Sequence, residues 1–175
     1  MSTNPSFPDF YRWTITTTAV GPVLIVASDA GLRSIRFRTT PDAVGLDPTR
    51  RDDAGLRAVT AALRGLVDGS RRDFPFLLDL DQGTVFERRV WTGLLAIPYG
   101  RTITYGELAK RLGLSVTASR AVGRANAKNP LPVVIPCHRV VAADSRLGGY
   151  AGGIDIKEHL LRVERAILRT PRVRV

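Results

Sequence analysis

The spacing of apolar residues changes character once along this chain, at Asp81-Gln82-Gly83, and the change restricts the fold to a strand-rich part followed by a helical part. Ahead of it, short apolar runs are punctuated by turn residues. Trp13 to Val20 is followed by a turn at Gly21-Pro22, Val23 to Ala27 by a second turn at Asp29 to Gly31, and Leu32 to Arg38 then places Ile35 and Phe37 on one face. This pattern predicts a meander of antiparallel strands. Thr39 to Asp53 is polar and contains proline. Beyond it Leu56, Val59, Leu63 and Leu66 recur at helical spacing, and Phe74 to Leu80 predicts one more strand.

After Gly83 the helix starts are legible from their caps. Thr84-Val85-Phe86-Glu87 and Thr104-Tyr105-Gly106-Glu107 both fit the capping box, in which a threonine hydroxyl and a glutamate three residues later satisfy free amides of the first turn. The first helix is expected to bury Phe86, Val90 and Leu94 and to end before Pro98. The second runs from Tyr105 to Leu112 with Gly113 as its stop, and a third begins near Ser115. Tyr105 to Asn126 thus reads as two short helices joined by a tight turn, a helix-turn-helix pattern. The expected fold class is α+β, with a strand-rich scaffold domain over residues 1–80 and a helical domain over 84–170.

At 175 residues the chain can bury a core without covalent staples. It has a single cysteine, Cys137, and two histidines, His138 and His159, so no intramolecular disulfide can form and no metal site is expected. No apolar run approaches the length of a bilayer span and the amino terminus lacks a signal-like pattern, so the expectation is a cytoplasmic protein with no membrane partner and a reduced thiol. Of the 26 basic and 16 acidic side chains, residues 1–84 hold ten of each, so the entire formal excess of +10 lies beyond Thr84. A basic second half points to a polyanion, most simply nucleic acid; a solvated arginine-rich surface is the plainer alternative.

Asn129-Pro130-Leu131-Pro132 precedes Val133-Val134-Ile135, an apolar run expected as a buried strand that delivers Cys137 to a rim after Pro136. An ordinary cysteine has a pKa of about 8.5, so a nucleophilic role needs a nearby base or positive charge. His138 is adjacent, but neighbouring side chains on an extended strand diverge, and a bridging water is the natural route for the thiol proton. An inert buried cysteine beside a surface histidine is the other reading. Glu164 falls on the last helix, whose start offers Asp155 as a cap with Glu158 in register, and is flanked by Leu160, Leu161, Ile167 and Leu168. A carboxylate beside an apolar stripe calls for a partner, unless it simply pairs with Arg162 or Arg165 at the surface.

The stretch from Phe86 to Glu164 resembles the O6-alkylguanine-DNA alkyltransferases, also called methylated-DNA–protein-cysteine methyltransferases. The resemblance rests on Ile97-Pro98-Tyr99-Gly100, Thr104-Tyr105, Arg120-Ala121-Val122-Gly123, Asn129-Pro130, Ile135-Pro136-Cys137-His138-Arg139-Val140 and Gly148-Gly149-Tyr150-Ala151-Gly152-Gly153, in the family's order. The first 80 or so residues resemble the family's variable amino-terminal domain in length and strand pattern, and the resemblance implies an RNase H-like fold there.

The resemblance implies direct-reversal DNA repair: one irreversible transfer of methyl, or a larger alkyl group, from O6 of guanine in duplex DNA to Cys137, with O4 of thymine as a further substrate. His138 would take the thiol proton through water, and Glu164 would orient and polarise that histidine. Tyr105 would donate to guanine N3 as the base leaves, and Asn129 would fix the active-site turn, an Asn-Pro turn being its alternative. Backbone groups of Cys137, Val140 and Ala151 would read the base, with Pro132 and Tyr150 lining the pocket. The second helix would enter the minor groove, where Ala121, Gly123 and Ala125 permit close approach and Arg120 fills the space of the rotated nucleotide. Arg124 and Lys128 are phosphate contacts on charge alone. No cofactor is implied; the partner is alkylated double-stranded DNA, bound by a monomer, with cooperative assembly left open.

Three features depart from the family pattern. Position 151 is alanine where many members carry serine, the Tyr105 to Arg120 spacing is one residue longer than usual, which keeps Arg124 as an alternative finger, and the cysteine-metal domain of fused members is missing. The rivals come from other classes. A non-catalytic alkyltransferase-like protein would replace Cys137, a helix-turn-helix regulator leaves Gly148 to Gly153 unexplained, and a cysteine hydrolase would turn over.

Overall fold

The computed structural model describes residues 10–143 and 146–165. The chain divides into two compact units between Gln82 and Gly83.

In the first unit β1 (Tyr11–Thr18), β2 (Gly21–Ser28) and β3 (Gly31–Phe37) form an antiparallel sheet in chain order. The first turn lies at Ala19-Val20, not at the expected Gly21-Pro22, because the Thr18 hydroxyl closes it, donating to Gly21 O at 2.8 Å and accepting from Val20 N at 3.2 Å. Gly21 and Pro22 already pair with Thr18 and Thr17. β3 pairs only from Val23 onward, so the missing N–H of Pro22 costs no bond on that side. The central strand is buried on both faces: Val23, Leu24, Ile25 and Val26 are shielded, and Trp13, Leu24, Val26 and Leu46 form one cluster with Tyr11, Ile15 and Val44 against it.

Helix α1 (Arg57–Asp68) packs against β1. Its buried stripe is Leu56, Thr60, Leu63 and Val67, while the expected Val59 and Leu66 are only half-buried. Phe74 to Leu80 is not a strand. It makes one parallel bridge, Leu32 to Leu78, with Leu32 N donating to Leu77 O and Asp79 N to Leu32 O, both at 2.8 Å. Pro75 has no N–H to extend the ladder, and the Asp79 side chain binds Ser28 and Arg33 instead.

The second unit contains α2 (Val85–Leu95), β4 (Ile103–Thr104), α3 (Tyr105–Arg111), α4 (Ser119–Ala127), β5 (Val140–Val141) and α5 (Ile154–Val163). Both capping boxes form: Glu87 N and Glu107 N donate to the Thr84 and Thr104 hydroxyls at 3.2 and 3.1 Å, and the glutamate carboxylates accept from Thr84 N and Thr104 N at 2.9 and 2.7 Å. α2 buries Val90, Trp91 and Leu94, with Phe86 half-buried. Trp91 was not foreseen; its Nε1 donates to Ala125 O at 2.9 Å and ties α2 to α4. A Cβ on Gly83 would lie 2.4 Å from the Trp91 ring, so only glycine fits there.

α3 and α4 pack together. Ser115 caps a single 3-10 turn, Val116–Ala118, that leads into α4. α5 starts from Gly153 rather than from an Asp155 cap: φ of 103° at Gly153 sets the entry, and Asp155 sits inside the first turn. Glu164 follows the last helical residue, while Ile167 and Leu168 lie outside the described residues. Among the described residues no helix is long and apolar enough to cross a membrane.

Candidate active site

The run Val133 to Ile135 forms a tight turn, not the expected strand. Asn129 dictates it: its Nδ2 donates to Ile135 O at 2.8 Å, its Oδ1 accepts from Leu131 N at 3.0 Å, and Ile135 N returns to Leu131 O at 2.8 Å. Val133 at the corner takes φ of 79°, an uncommon value for a β-branched residue held by these bonds. Pro136, at φ −79° and ψ 60°, centres an inverse γ-turn in which Cys137 N donates to Ile135 O at 2.7 Å. Cys137 to Arg139 then form one 3-10 turn entering β5. Parallel pairing of Ile103 with Val140 and Thr104 with Val141 ties this segment to the start of α3.

Cys137 is therefore not on an exposed rim; it is 3% exposed. Burial pushes its thiol up to about 11, against the Asn129 amide, the Lys157 charge and the amides of Cys137 and His138, which favour the thiolate. The resting group is thus a thiol, and a nucleophilic role would need a base to take its proton.

His138 is 1% exposed, and its Nε2 lies 2.8 Å from Glu164 Oε1. Burial holds Glu164 up, but bonds from His138 and Arg139 outweigh it and bring the carboxyl down to about 2. An ionised carboxylate only accepts, so the imidazole hydrogen is assigned to Nε2, and Nδ1 carries the lone pair. Nδ1 is buried and has no hydrogen-bond partner among the described residues. Burial, more than any other influence, lowers the His138 pKa, with Glu164 opposing and Arg139 and Lys157 assisting. Glu164 meets His138 as the resemblance implies, and its guanidinium partner is Arg139 rather than the Arg162 or Arg165 of the alternative surface pairing, with Nε and Nη2 reaching both carboxylate oxygens at 2.9 to 3.2 Å. Its Oε2 also accepts from Gly100 N at 3.1 Å.

A cavity of about 550 Å³ is lined by Cys137 together with Tyr105, Tyr150, Ala151, Arg120, Gly123 and Arg124. Asn129, Pro132, Val140, Ala121 and Lys128 do not line it: Asn129 stands behind the turn, Pro132 is buried in it, and Ala121 is half-buried on α4. Burial and the nearby Cys137 raise the Tyr105 phenol, which stays a proton donor. Gly148, at φ of 65°, lies against that ring: a Cβ there would stand 3.7 Å from the Tyr105 oxygen. The Tyr150 ring stands edge-on to His138, centroids 6.4 Å apart. Lys128 is exposed but engaged, its Nζ 2.6 Å from Glu87 Oε1.

Gly149 of the glycine-rich motif also lines the cavity, and residue-level reading missed three contributors, of which Asn126 and Ala127 line it too. Lys157 is fully buried on α5 and donates to Val140 O at 2.7 Å and to Leu147 O, stapling β5 to the segment before Gly148. A lysine among apolar helical positions was the available signal: Ile156, Leu160 and Leu161 share its buried face.

Together these groups place a buried thiol on the wall of a cavity, with an imidazole–carboxylate–guanidinium network at the next residue. Residues 85–166 match the family model described as "6-O-methylguanine DNA methyltransferase, DNA binding domain". The methylated-DNA–protein-cysteine methyltransferase of Methanosarcina acetivorans is 39% identical over 153 residues, covering 87% of this chain and 97% of the relative. The crystal structure of the Mycobacterium tuberculosis O6-methylguanine methyltransferase superposes with a TM-score of 0.77 at 36% identity, covering 89% of this chain and 93% of that one. The structure of Mycobacterium tuberculosis OGT in complex with DNA gives 0.73 at 37%, covering 89% and 92%. The chain belongs to the methylated-DNA–protein-cysteine methyltransferase family.

Proposed function

We propose that this protein repairs alkylated DNA by moving the alkyl group from O6 of guanine, and from O4 of thymine, onto Cys137. The observation that carries the reading is Cys137 on a cavity wall, followed by an imidazole whose Nε2 is committed to Glu164 and whose buried Nδ1 has no hydrogen-bond partner among the described residues. His138 takes the thiol proton through one water, and the thiolate attacks the alkyl carbon in line. The C–O bond breaks as the S–C bond forms, and guanine leaves with Tyr105 donating to N3. A thioether results that water does not cleave, so each molecule acts once and no cofactor enters.

The thiol is shielded and an alkyl group in stacked duplex DNA is out of its reach, so the nucleotide must rotate into the cavity at a cost of a few kcal/mol. α3 and α4 act as a helix-turn-helix with α4 in the minor groove and the exposed Arg120 filling the vacated stack, Arg124 standing next on the same helix. In this reading residues 84–170 bind DNA and perform the chemistry, and residues 1–80 are an RNase H-like scaffold. The protein works as a monomer in the cytoplasm, where the thiol stays reduced.

Incubation with an excess of duplex containing one O6-methylguanine tests this. The expected result is one restored guanine per protein molecule and then no further repair. Continued turnover, or binding without repair, would refute it.

A further inference from the structure

The Arg139 side chain is bonded on both sides, to Ile97 O and to Glu164, and the transfer chemistry assigns it no step. Its Nη1 donates to Ile97 O at 2.6 Å beyond the end of α2, and its guanidinium carbon stands 5.6 Å over the Tyr99 ring. The remaining donors grip both oxygens of Glu164. The side chain is 12% exposed. A planar fork held at three sides is rigid, and it fixes the carboxylate in one orientation.

We infer that Arg139 is a positioning residue that supplies the counter-charge for Glu164, so that His138 rests as a neutral imidazole able to accept the thiol proton. The inference rests on the reading of Cys137 as alkyl acceptor and His138 as its base. Buried carboxylates need a cation. Had His138 been the only one within reach, the pair would settle as imidazolium and carboxylate, and the base would be spent before the reaction. Arg139 balances Glu164, so a proton on His138 would add an uncompensated charge to a buried site.

The other groups facing His138 act in the same sense or are neutral. Lys157 on α5, whose pKa burial lowers to about 8, is cationic at neutral pH and there opposes a second positive charge. Tyr150 stands edge-on, and burial holds its phenol protonated. Cys137 is a neutral thiol. Glu164 alone favours the imidazolium, and Arg139 shares it. Removing Arg139 therefore leaves Glu164 to His138, raises the imidazole pKa, and moves the acid limb of the transfer rate to higher pH.

Single-turnover transfer from an O6-methylguanine duplex, followed from about pH 5 to about pH 9, tests this in wild type, Arg139→Gln and Arg139→Lys. Arg139→Gln is expected to be about 10-fold slower near the wild-type acid limb and to recover at alkaline pH, as a shift of about one pH unit requires. Arg139→Lys, with the charge but not the fork, should fall between. Equal slowing at every pH would show damage to the fold alone and overturn the inference.

Should the variants not fold, the His138 imidazole can be titrated by NMR in wild type, with His159→Gln giving the assignment. A neutral ring at pH 7 agrees with the inference; an imidazolium contradicts it. A wild-type protein that transfers nothing would defeat the proposed function, while an imidazolium found in the titration would still overturn the role given to Arg139.

Discussion

Each compact unit buries an arginine–carboxylate pair, and the two pairs end differently. In the first unit Arg33 Nη1 meets Asp79 Oδ2 at 2.7 Å, and Asp79 also accepts from the Ser28 hydroxyl at 2.6 Å and from Asp81 N at 3.2 Å. In the second, Arg139 meets Glu164, which also holds His138 and Gly100 N. Bonds from Ser28 and Arg33 outweigh burial and hold Asp79 below the usual carboxylate range, as those from His138 and Arg139 do for Glu164. Ion pairing is thus common to both. The difference is the group on the carboxylate's remaining lone pairs: a hydroxyl that keeps its proton at any physiological pH, or an imidazole that can take one. The first network locks a turn, and the second can move a proton.

The sharpest way to break this comparison is to neutralise each carboxylate. Glu164→Gln should slow transfer about 100-fold, the scale of a lost general base, and lower stability by about 3–5 kcal/mol, because Arg139 would be left buried and unpaired. Asp79→Asn should also cost stability, measured by urea unfolding, yet leave the single-turnover rate per folded molecule within about twofold of wild type. Equal slowing in both variants would erase the distinction.

Tyr105→Phe sharpens it within the second unit. Removing the phenol should slow transfer about 10-fold and leave lesion binding unchanged, since the donor acts as the base departs. Rate and affinity measured on one duplex separate the two. Lys128→Ala should have the smallest effect, about twofold or less in DNA affinity at moderate salt, because Glu87 already holds the ammonium. A large drop in the salt dependence of binding would show that DNA displaces Glu87.

What the sequence disclosed follows from the range of the interactions involved. The starts of α2 and α3 were legible because a capping box spans four residues, and Cys137, His138, Tyr105 and Asn129 were legible as parts of local motifs. Val133 to Ile135 was not: three apolar residues suit a strand or a turn equally, and the deciding bonds come from the Asn129 side chain. Phe74 to Leu80 failed similarly, since its edge pairing stops where Asp79 turns to Ser28 and Arg33. The contact of Glu164 with His138 was legible from the motif, but its guanidinium partner was not, because Arg139 reaches it across 25 positions, a pairing that only the folded chain brings together.

The most direct test of the account is the intact mass of the protein after incubation with a duplex carrying one O6-methylguanine, wild type beside Cys137→Ala. The account predicts a single added methyl group, mapped to Cys137 and missing from the variant. An unchanged wild-type mass, or a methyl group that persists in Cys137→Ala, would contradict it.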